Sequence, residues 1–395
     1  MLRIGEFSDT FLPIVDGVGR VVHSYAEGLC QLGHQVTVVA PMGDTGYRGG
    51  YPYDLVDFIG MRVPLVRQYQ TGEAVADAHY RHRIREVELD ICHSHSPFLA
   101  GSEALRLAAQ RNIPLVGTFH SKYYDDFLKT LKSETLAKLG VKLVVDYYSR
   151  CDEVWAVSDS TADTLRGYGY TGEIQVMQNG TNLRDVDPDA LAEAERRWDF
   201  GDLPLLLFVG QMDWKKNINC ILEACVALRR SGFVFRLALA GQGPDRDAID
   251  RRVDELGLRE NARLVGHITD TKLLDALFAR ASLFVFPSLY DNAPMVVREA
   301  AAMGTPAVLA RGSTAAEIIR DGENGLLCEN DGEDLARVIR GALADTERLA
   351  RLGAAARASI PIPWQGILAR VADRYADLIE RNRAGELPKK TKRLL

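Results

Sequence analysis

Leu283-Phe-Val-Phe-Pro-Ser-Leu-Tyr-Asp-Asn-Ala-Pro-Met-Val-Val-Arg-Glu-Ala-Ala-Ala-Met-Gly-Thr-Pro-Ala-Val-Leu309 is the stretch whose reading decides the fold. Residues 283–286 are an unbroken apolar run, the pattern of a strand buried on both faces of a parallel sheet. Pro287 and Ser288 end it, and a loop carrying Asp291 and Asn292 follows. Pro294 predicts the opening of a helix, where its missing N–H costs no hydrogen bond. The Ala-rich residues 295–303 predict the helix itself, and Gly304 its stop. Residues 305–310 predict the next strand. The unit is strand–loop–helix–strand, which places the chain in the α/β class with its loop at the carboxyl edge of a sheet.

The chemistry of that loop follows from its atoms. N–H groups at a helix start attract anions, phosphate above all. Asp291 lies in the loop, and Glu299, with seven residues between them, lies one to two turns into the helix. One carboxylate can meet a ligand at the loop while the other reaches a second part of it. Carboxylates accept hydrogen bonds from the neighbouring hydroxyls of a sugar or ribose.

On these residues the stretch resembles the nucleotide-sugar signature of retaining glycosyltransferases of family 4. That signature has two Glu with seven residues between them, the first followed by Gly-Phe-Gly, the second by Ala and a Gly-x-Pro strand. Glu299, Ala300, Gly304 and Pro306 match it. Asp291 stands in place of the first Glu, and Asn292-Ala293-Pro294 in place of Gly-Phe-Gly. The variant is similar to bacterial lipid-linked glucosyltransferases such as diacylglycerol glucosyltransferases. The resemblance implies the GT-B fold: two Rossmann-like domains with a cleft between them and a C-terminal helix crossing back. Residues 1–185 would be the acceptor-binding domain and 186–360 the nucleotide-sugar domain. Residues 361–395 would be the returning helix and a basic tail.

Length and composition agree with two domains. The chain has 395 residues, of which 47% are apolar, enough for two cores. A net charge of −6 argues against nucleic acid as a partner. No apolar run approaches a membrane span, and the acidic residues in Met1-Leu-Arg-Ile-Gly-Glu-Phe-Ser-Asp9 do not suit a signal peptide. The expected location is cytoplasmic, with peripheral contact to the inner face of the membrane as an extension. Cys30, Cys92, Cys151, Cys220, Cys225 and Cys328 are read as reduced core residues, since no pair has zinc spacing.

In the first half, residues 3–7, 20–32 and 35–40 predict a βαβ opening. Gly17-Val18-Gly19 is read as a loop just before the helix, allowing close approach of a phosphate or sugar; a tight turn is the bland alternative. His93-Ser-His95 ends a strand over 90–94, and alternate positions point the two rings the same way. A metal needs a third ligand, and none lies nearby in sequence at useful spacing, so no metal is expected. Residues 114–118 predict a strand ending in Phe119-His120. The family's cleft His after a Gly-Thr strand implies a place for His120 near the transferred sugar. Residues 122–150 interleave aromatics and leucines with Lys122, Lys129, Lys132, Lys138 and Lys142. This is either a membrane-surface helix or an ordinary docked helix with a solvated lysine face; the family places acceptor-binding helices here. Ser158 predicts a cap for a helix over 161–168. Asp185-Val-Asp187 is taken as a chance likeness to a metal motif.

In the second half, residues 204–209 predict a strand, followed by Gly210-Gln-Met-Asp-Trp-Lys-Lys-Asn217. The family has Gly-Arg here and a Lys five residues on, both facing the donor diphosphate. Lys216 matches the Lys, with Lys215 as a second cation, while Gln211 replaces the Arg and with it a permanently charged fork. Gly241 and Gly243 follow the strand 235–240, where the family has a Gly-x-Gly at the donor site. His267-Ile268 begins a loop that in the family borders the nucleotide base. The resemblance further implies Glu299 on ribose hydroxyls and Asp291 on sugar hydroxyls, the latter drawn back by about 1.5 Å for want of one carbon. The segment Asn292, Ala293, Pro294, Met295 and Val296 would lie at the donor, and the backbone N–H groups of its turn 293–296, where Pro294 has none, would with Lys216 face the leaving diphosphate.

The expected activity is therefore sugar transfer with retention from a nucleotide diphosphate sugar, UDP-glucose being the first choice and UDP-galactose and GDP-mannose the alternatives. No cofactor is required on this reading. The expected acceptor is a membrane lipid such as diacylglycerol. The rivals are a transferase for a soluble or polyprenyl-linked glycan, an epimerase on the same fold, and a nucleotide-sugar-binding protein without transfer.

Overall fold

The structure, a computed structural model, describes residues 1–12, 17–42, 50–63, 66–72 and 74–388. The basic tail 389–393 and part of the loop 8–19 lie outside these residues. The chain forms two compact units, Met1–Asn179 with Trp364–Leu395, and Gly180–Pro363.

The first unit is built on a sheet of strands β1 (Arg3–Phe7), β2 (Gln35–Pro41), β3 (Asp54–Phe58), β6 (Ile91–Ser94), β7 (Leu115–Phe119), β8 (Glu153–Ala156) and β9 (Ile174–Val176). A hairpin of β4 (Gly60–Val63) and β5 (Val66–Gly72) stands apart from it. All seven sheet strands run parallel, in the order β3-β2-β1-β6-β7-β8-β9. The order reverses between β1 and β6, so the crevice at their carboxyl ends is a topological switch point. There Glu6 lies beside His93 in register. The last helix, Trp364–Arg383, packs in this unit through Trp364, Ile367, Val371 and Tyr375. Arg374 fixes it with a bidentate ion pair to Glu153 on β8.

The second unit has strands β10 (Leu205–Val209), β11 (Arg236–Ala240), β12 (Ala262–Gly266), β13 (Leu283–Phe286), β14 (Ala307–Ala310) and β15 (Leu326–Cys328). All are parallel, in the order β12-β11-β10-β13-β14-β15, with the switch point between β10 and β13. Leu205 to Phe208 and Leu283 to Val285 are wholly buried. Phe208, Phe284 and Phe286 stack across this seam, with centroids 5.7 Å apart. A central strand covered on both faces has no polar side to show, which is why β10 and β13 read as unbroken apolar runs. These two parallel-sheet units are the GT-B architecture.

Several sequence expectations shift. The first helix spans Gly17–Gln31, so Gly17, Val18 and Gly19 form its first turn rather than a loop before it. Residues 122–150 divide into two helices, Tyr123–Leu131 and Glu134–Tyr148, at a left-handed Lys132 with φ 50°. Helices Ala78–Glu86 and Pro188–Trp198 carry few buried residues, two in each case, and so leave no apolar stripe to read. Asp187 caps the second of these and pairs with Lys272 at 2.8 Å, a structural role for half of the Asp-x-Asp. Cys92, Cys220, Cys225 and Cys328 are buried, but Cys30 and Cys151 are only half-buried, so two of the six are not core residues; none forms a disulfide.

Candidate active site

In the second unit the expected residues converge at the β10/β13 switch point. After β10 the chain turns through Asp213, which caps the short 3-10 turn Trp214–Lys216 by accepting from the Lys215 N–H at 2.9 Å. Asn217 then takes φ 60°, and its carboxamide donates to the Pro287 carbonyl at 3.0 Å, tying this loop to the one after β13. Lys216 is thereby buried to 8% exposure, and its ammonium pairs with the Asp291 carboxylate. Ser288 donates to the other Asp291 oxygen at 2.6 Å. Thr314 holds the loop by donating to the Asp291 carbonyl at 2.5 Å. The Tyr290 ring lies under both cations, 4.3 Å from the Lys215 ammonium and 5.2 Å from that of Lys216.

The turn that follows is shaped by Ala293, whose φ of 41° is left-handed without the licence of glycine. Pro294, extended at φ −64° and ψ 126°, is the N-cap of helix Met295–Ala302 rather than its first residue. Gly304, φ 78°, ends that helix in a Schellman motif: Thr305 N–H donates to the Ala300 carbonyl and Gly304 N–H to that of Ala301. Asp291, Asn292, Ala293, Pro294, Met295 and Val296 are all half-buried, and Glu299 is buried at 8% exposure. Near Glu299 is a cation absent from the sequence reading. Arg184 is ion-paired with Asp275, and Asp275 first, then Glu299, holds its guanidinium above the ordinary value.

Other expected donor residues have structural reasons of their own. A Cβ on Gly241, at φ 140°, would fall 1.9 Å from the Gly210 carbonyl oxygen, and one on Gly243 would fall 2.5 Å from that of Met212. These glycines let the loops after β10 and β11 lie backbone against backbone, with Met212 N–H donating to the Gln242 carbonyl at 3.1 Å. Gln211 is half-buried in the same loop. His267 is exposed just past β12, while Ile268 packs on the core.

In the first unit His120 is no surface side chain: it is 8% exposed and 3.1 Å from His95, Nε2 to Nδ1. His93 and His95 do share a face, their rings 4.1 Å apart. The expectation that no third ligand lies near them is corrected by the fold. Glu6 on β1 joins them, and among the described residues these three form one group whose ligand-type atoms lie within 4.8 Å. The group is already hydrogen-bonded throughout. His95 Nε2 lies 2.8 Å from Glu6, and the two nitrogens of His93 meet the Tyr375 hydroxyl at 2.5 Å and the Thr118 hydroxyl at 2.7 Å. Gly17 is exposed, and a Cβ there would meet nothing within 4 Å, so packing does not demand this glycine. Nearby, Asp9 is buried, accepting from Ser96 Oγ at 2.5 Å and from the Ala100 N–H at 2.9 Å; burial raises its carboxyl.

Buried charged side chains thus gather at the switch point of each of the two units, an arrangement in keeping with glycosyltransferases of the GT-B class. Comparison with known families agrees: residues 15–185 match the model "Glycosyltransferase Family 4" and residues 192–359 match "Glycosyl transferases group 1". The chain belongs to this glycosyltransferase family. It is 24% identical over 394 residues to the alpha-monoglucosyldiacylglycerol synthase of Acholeplasma laidlawii, covering 96% of this chain and 98% of that one. It is 25% identical over 387 residues to the GDP-mannose-dependent alpha-mannosyltransferase of Corynebacterium glutamicum, covering 96% and 89%. Among solved structures, that of Anabaena HepE in complex with UDP-glucose superimposes with a TM-score of 0.74 at 17% identity, covering 95% of this chain and all of the other.

Proposed function

We propose that this protein is a retaining hexosyltransferase that moves glucose from UDP-glucose to a hydroxyl of a membrane lipid such as diacylglycerol. The observation that carries the reading is the meeting of Lys216 and Asp291 at the β10/β13 switch point. It puts a phosphate-binding cation beside a hydroxyl-binding carboxylate, as a diphosphate joined to a sugar requires. In the reaction the bond from the anomeric carbon to the diphosphate oxygen breaks, and a bond to the acceptor oxygen forms on the same face. The acceptor's proton leaves with the diphosphate. Lys216 and the N–H groups of the turn 293–296 stabilise the charge growing on that leaving group. Glu299 holds the ribose hydroxyls, Asp291 the sugar hydroxyls, and His120 orients the sugar. No side chain is assigned as a nucleophile, and positioning supplies much of the rate.

Residues 1–185 bind the acceptor on this reading, and 186–360 the donor. The lipid assignment draws on helix Glu134–Tyr148. Leu136, Leu139 and Leu143 are 46–54% exposed along one face, with Lys138 and Lys142 exposed beside them. A leucine face flanked by lysines suits the surface of an anionic bilayer, and no described helix is long and apolar enough to cross one. The Acholeplasma relative supports glucose and a diacylglycerol lipid; the Corynebacterium relative makes GDP-mannose the second donor to try.

The test mixes the purified full chain with UDP-glucose and diacylglycerol vesicles and weighs the lipid by mass spectrometry. A hexose-sized gain supports donor, acceptor and competence together. UDP release without lipid gain keeps the enzyme and moves the acceptor to a soluble or polyprenyl-linked glycan. Neither product, with UDP still bound, would leave a nucleotide-sugar binder.

A further inference from the structure

A cavity of about 320 Å³ lies within the first unit between helix Ala78–Glu86 and helix Leu99–Arg111. Four guanidinium groups line it: Arg81 and Arg85 from the first helix, Arg106 and Arg111 from the second. It stands away from the strand-end residues Glu6 and His93. Helix Leu99–Arg111 begins beyond the carboxyl end of β6 and returns to the start of β7 at Leu115. Its last two turns, which carry Arg106 and Arg111, therefore lie toward the amino edge of the sheet.

The charge of this cavity is poorly balanced from within the protein. Arg106 gives Nε at 2.6 Å and Nη2 at 2.5 Å to the Glu103 carboxylate, which is 2% exposed and also accepts from the Tyr80 hydroxyl at 2.7 Å. Its Nη1 donates to Gln110 at 2.8 Å. Arg111 donates to the Val87 carbonyl at 2.5 Å and the Ile84 carbonyl at 2.6 Å, closing the end of helix Ala78–Glu86. Those partners are neutral and leave its charge standing. Arg81 reaches the Val75 carbonyl at 3.5 Å, the limit of a hydrogen bond. No carboxylate lines the cavity, so four arginines against Glu103 leave three positive charges. Neighbouring cations are treated otherwise: Arg83 pairs with Asp57 at 3.1 Å, and Glu86, the one acidic residue of its helix, lies 3.6 Å from His82.

A purely structural role does not account for this arrangement. Arg81 and Arg85 are four residues apart on one helix, where like charges are neighbours and repel. That helix buries only Tyr80 and Ile84. Concentrating charge on so lightly anchored an element costs stability, and a bound anion would offset the cost. Guanidinium forks match the oxygens of a phosphate two at a time. Three unbalanced charges call for a group carrying at least two negative ones. The volume stands at the lower end for ligand sites, which limits the ligand to a phosphate with little attached.

We propose that this cavity binds a dianionic phosphate group, gripped by Arg81 and Arg85 on one side and by Arg106 and Arg111 on the other. The same chemistry is offered by a soluble phosphate and by the headgroup of a phosphatidic lipid. Val75, Ile84 and Leu107 form an apolar wall that tells them apart, because only the lipid has hydrocarbon to lay on it. The proposal does not rest on the transferase reading, and its test needs no turnover.

The full chain is titrated calorimetrically, in a buffer free of phosphate, with inorganic phosphate, pyrophosphate and dihexanoyl phosphatidate below its micelle threshold. The same titrations are run on Arg81→Gln with Arg85→Gln, and on Lys216→Met. Both arginines are exposed, so their charge-assisted bonds are discounted for solvent, and the double variant should still bind about tenfold more weakly. Lys216→Met should bind as the wild type does. Equal wild-type affinity for phosphate and phosphatidate assigns the cavity to a soluble anion. Phosphatidate bound at least about tenfold more tightly assigns it to a lipid headgroup, that factor being the worth of two buried methylenes. No binding of any probe overturns the proposal, as does undiminished affinity in the double variant. A loss confined to Lys216→Met also overturns it, since the anion would then sit in the second unit. If the double variant fails to fold by circular dichroism, Arg85→Gln alone decides by the same comparison.

Discussion

Replacing Lys216 by Met isolates what the ammonium contributes to donor binding. Met keeps most of the stem's volume and removes the charge. The side chains of Lys216 and Asp291 are 9% and 18% exposed, so solvent screens this locus little. A charge-assisted hydrogen bond to a diphosphate is worth about 1.5–3 kcal/mol, which is a roughly 10- to 150-fold weakening of UDP binding. The variant also leaves Asp291 without its cation, and the remaining carboxylate repels the incoming phosphates. The loss should therefore sit at the upper end, and Lys216→Met with Asp291→Asn should recover part of it. Calorimetric titration of UDP and of uridine separates charge from collapse. Uridine lacks the phosphates, so its affinity should stay within about twofold of the wild type, an unperturbed contact being worth a few tenths of a kcal/mol at most. Unchanged UDP affinity, or equal losses for UDP and uridine, would refute the assignment of Lys216 to the diphosphate.

Glu299→Ala should weaken UDP and uridine alike, by about tenfold, because it removes a ribose contact; a loss confined to UDP in the same titration would contradict this. Acid should destabilise the first unit in two steps. Between pH 6.5 and about 4 the unfolded chain binds a proton at His95 that the folded chain refuses, so stability falls as pH drops, by about 3 kcal/mol for that group alone. The contribution of Glu6 is lost lower, as pH falls from 4.5 to about 2. Urea melts at pH 7.5 and 4.5 check the first step, and equal midpoints would deny it. Gly241→Ala should destabilise the second unit by about 2 kcal/mol or more, since its Cβ meets the Gly210 carbonyl oxygen; an unshifted thermal melt would count against that. Leu139→Glu with Leu143→Glu should abolish sedimentation with anionic vesicles while leaving the circular dichroism spectrum intact. Undiminished sedimentation would remove this helix from the membrane-binding reading.

How much could be read from the chain differs between the two crevices. In the second unit, Asp291 and Glu299 are legible because they follow an apolar strand and flank a helix start, a local pattern, while Lys216 is singled out by the resemblance of its loop to the family's. Ser288 and Tyr290 lie in the same segment, but their parts, one holding Asp291 and the other lying beneath two lysines, depend on a loop 75 residues away that brings Lys216 there. Gly241 and Gly243 look like ligand glycines in sequence; contact between two loops shows that packing requires them. In the first unit the His93-Ser-His95 pair is visible and its shared face follows from strand geometry. The carboxylate that completes it is 89 residues from His95, and the tyrosine that steadies it is 282 residues from His93.

The sequence by itself determined the class of fold, the order of most strands and helices, and the residue types gathered at the strand ends. Period, caps and stops act over a few residues, and so they survive in a linear string. Tertiary structure alone decided which strands are neighbours, and hence that Glu6 lies beside His93 and that the loops after β10 and β13 share a crevice. It also decided the ionisation of Glu6 and His95, because burial and the distance between charges, not residue identity, set whether an imidazole keeps its second proton.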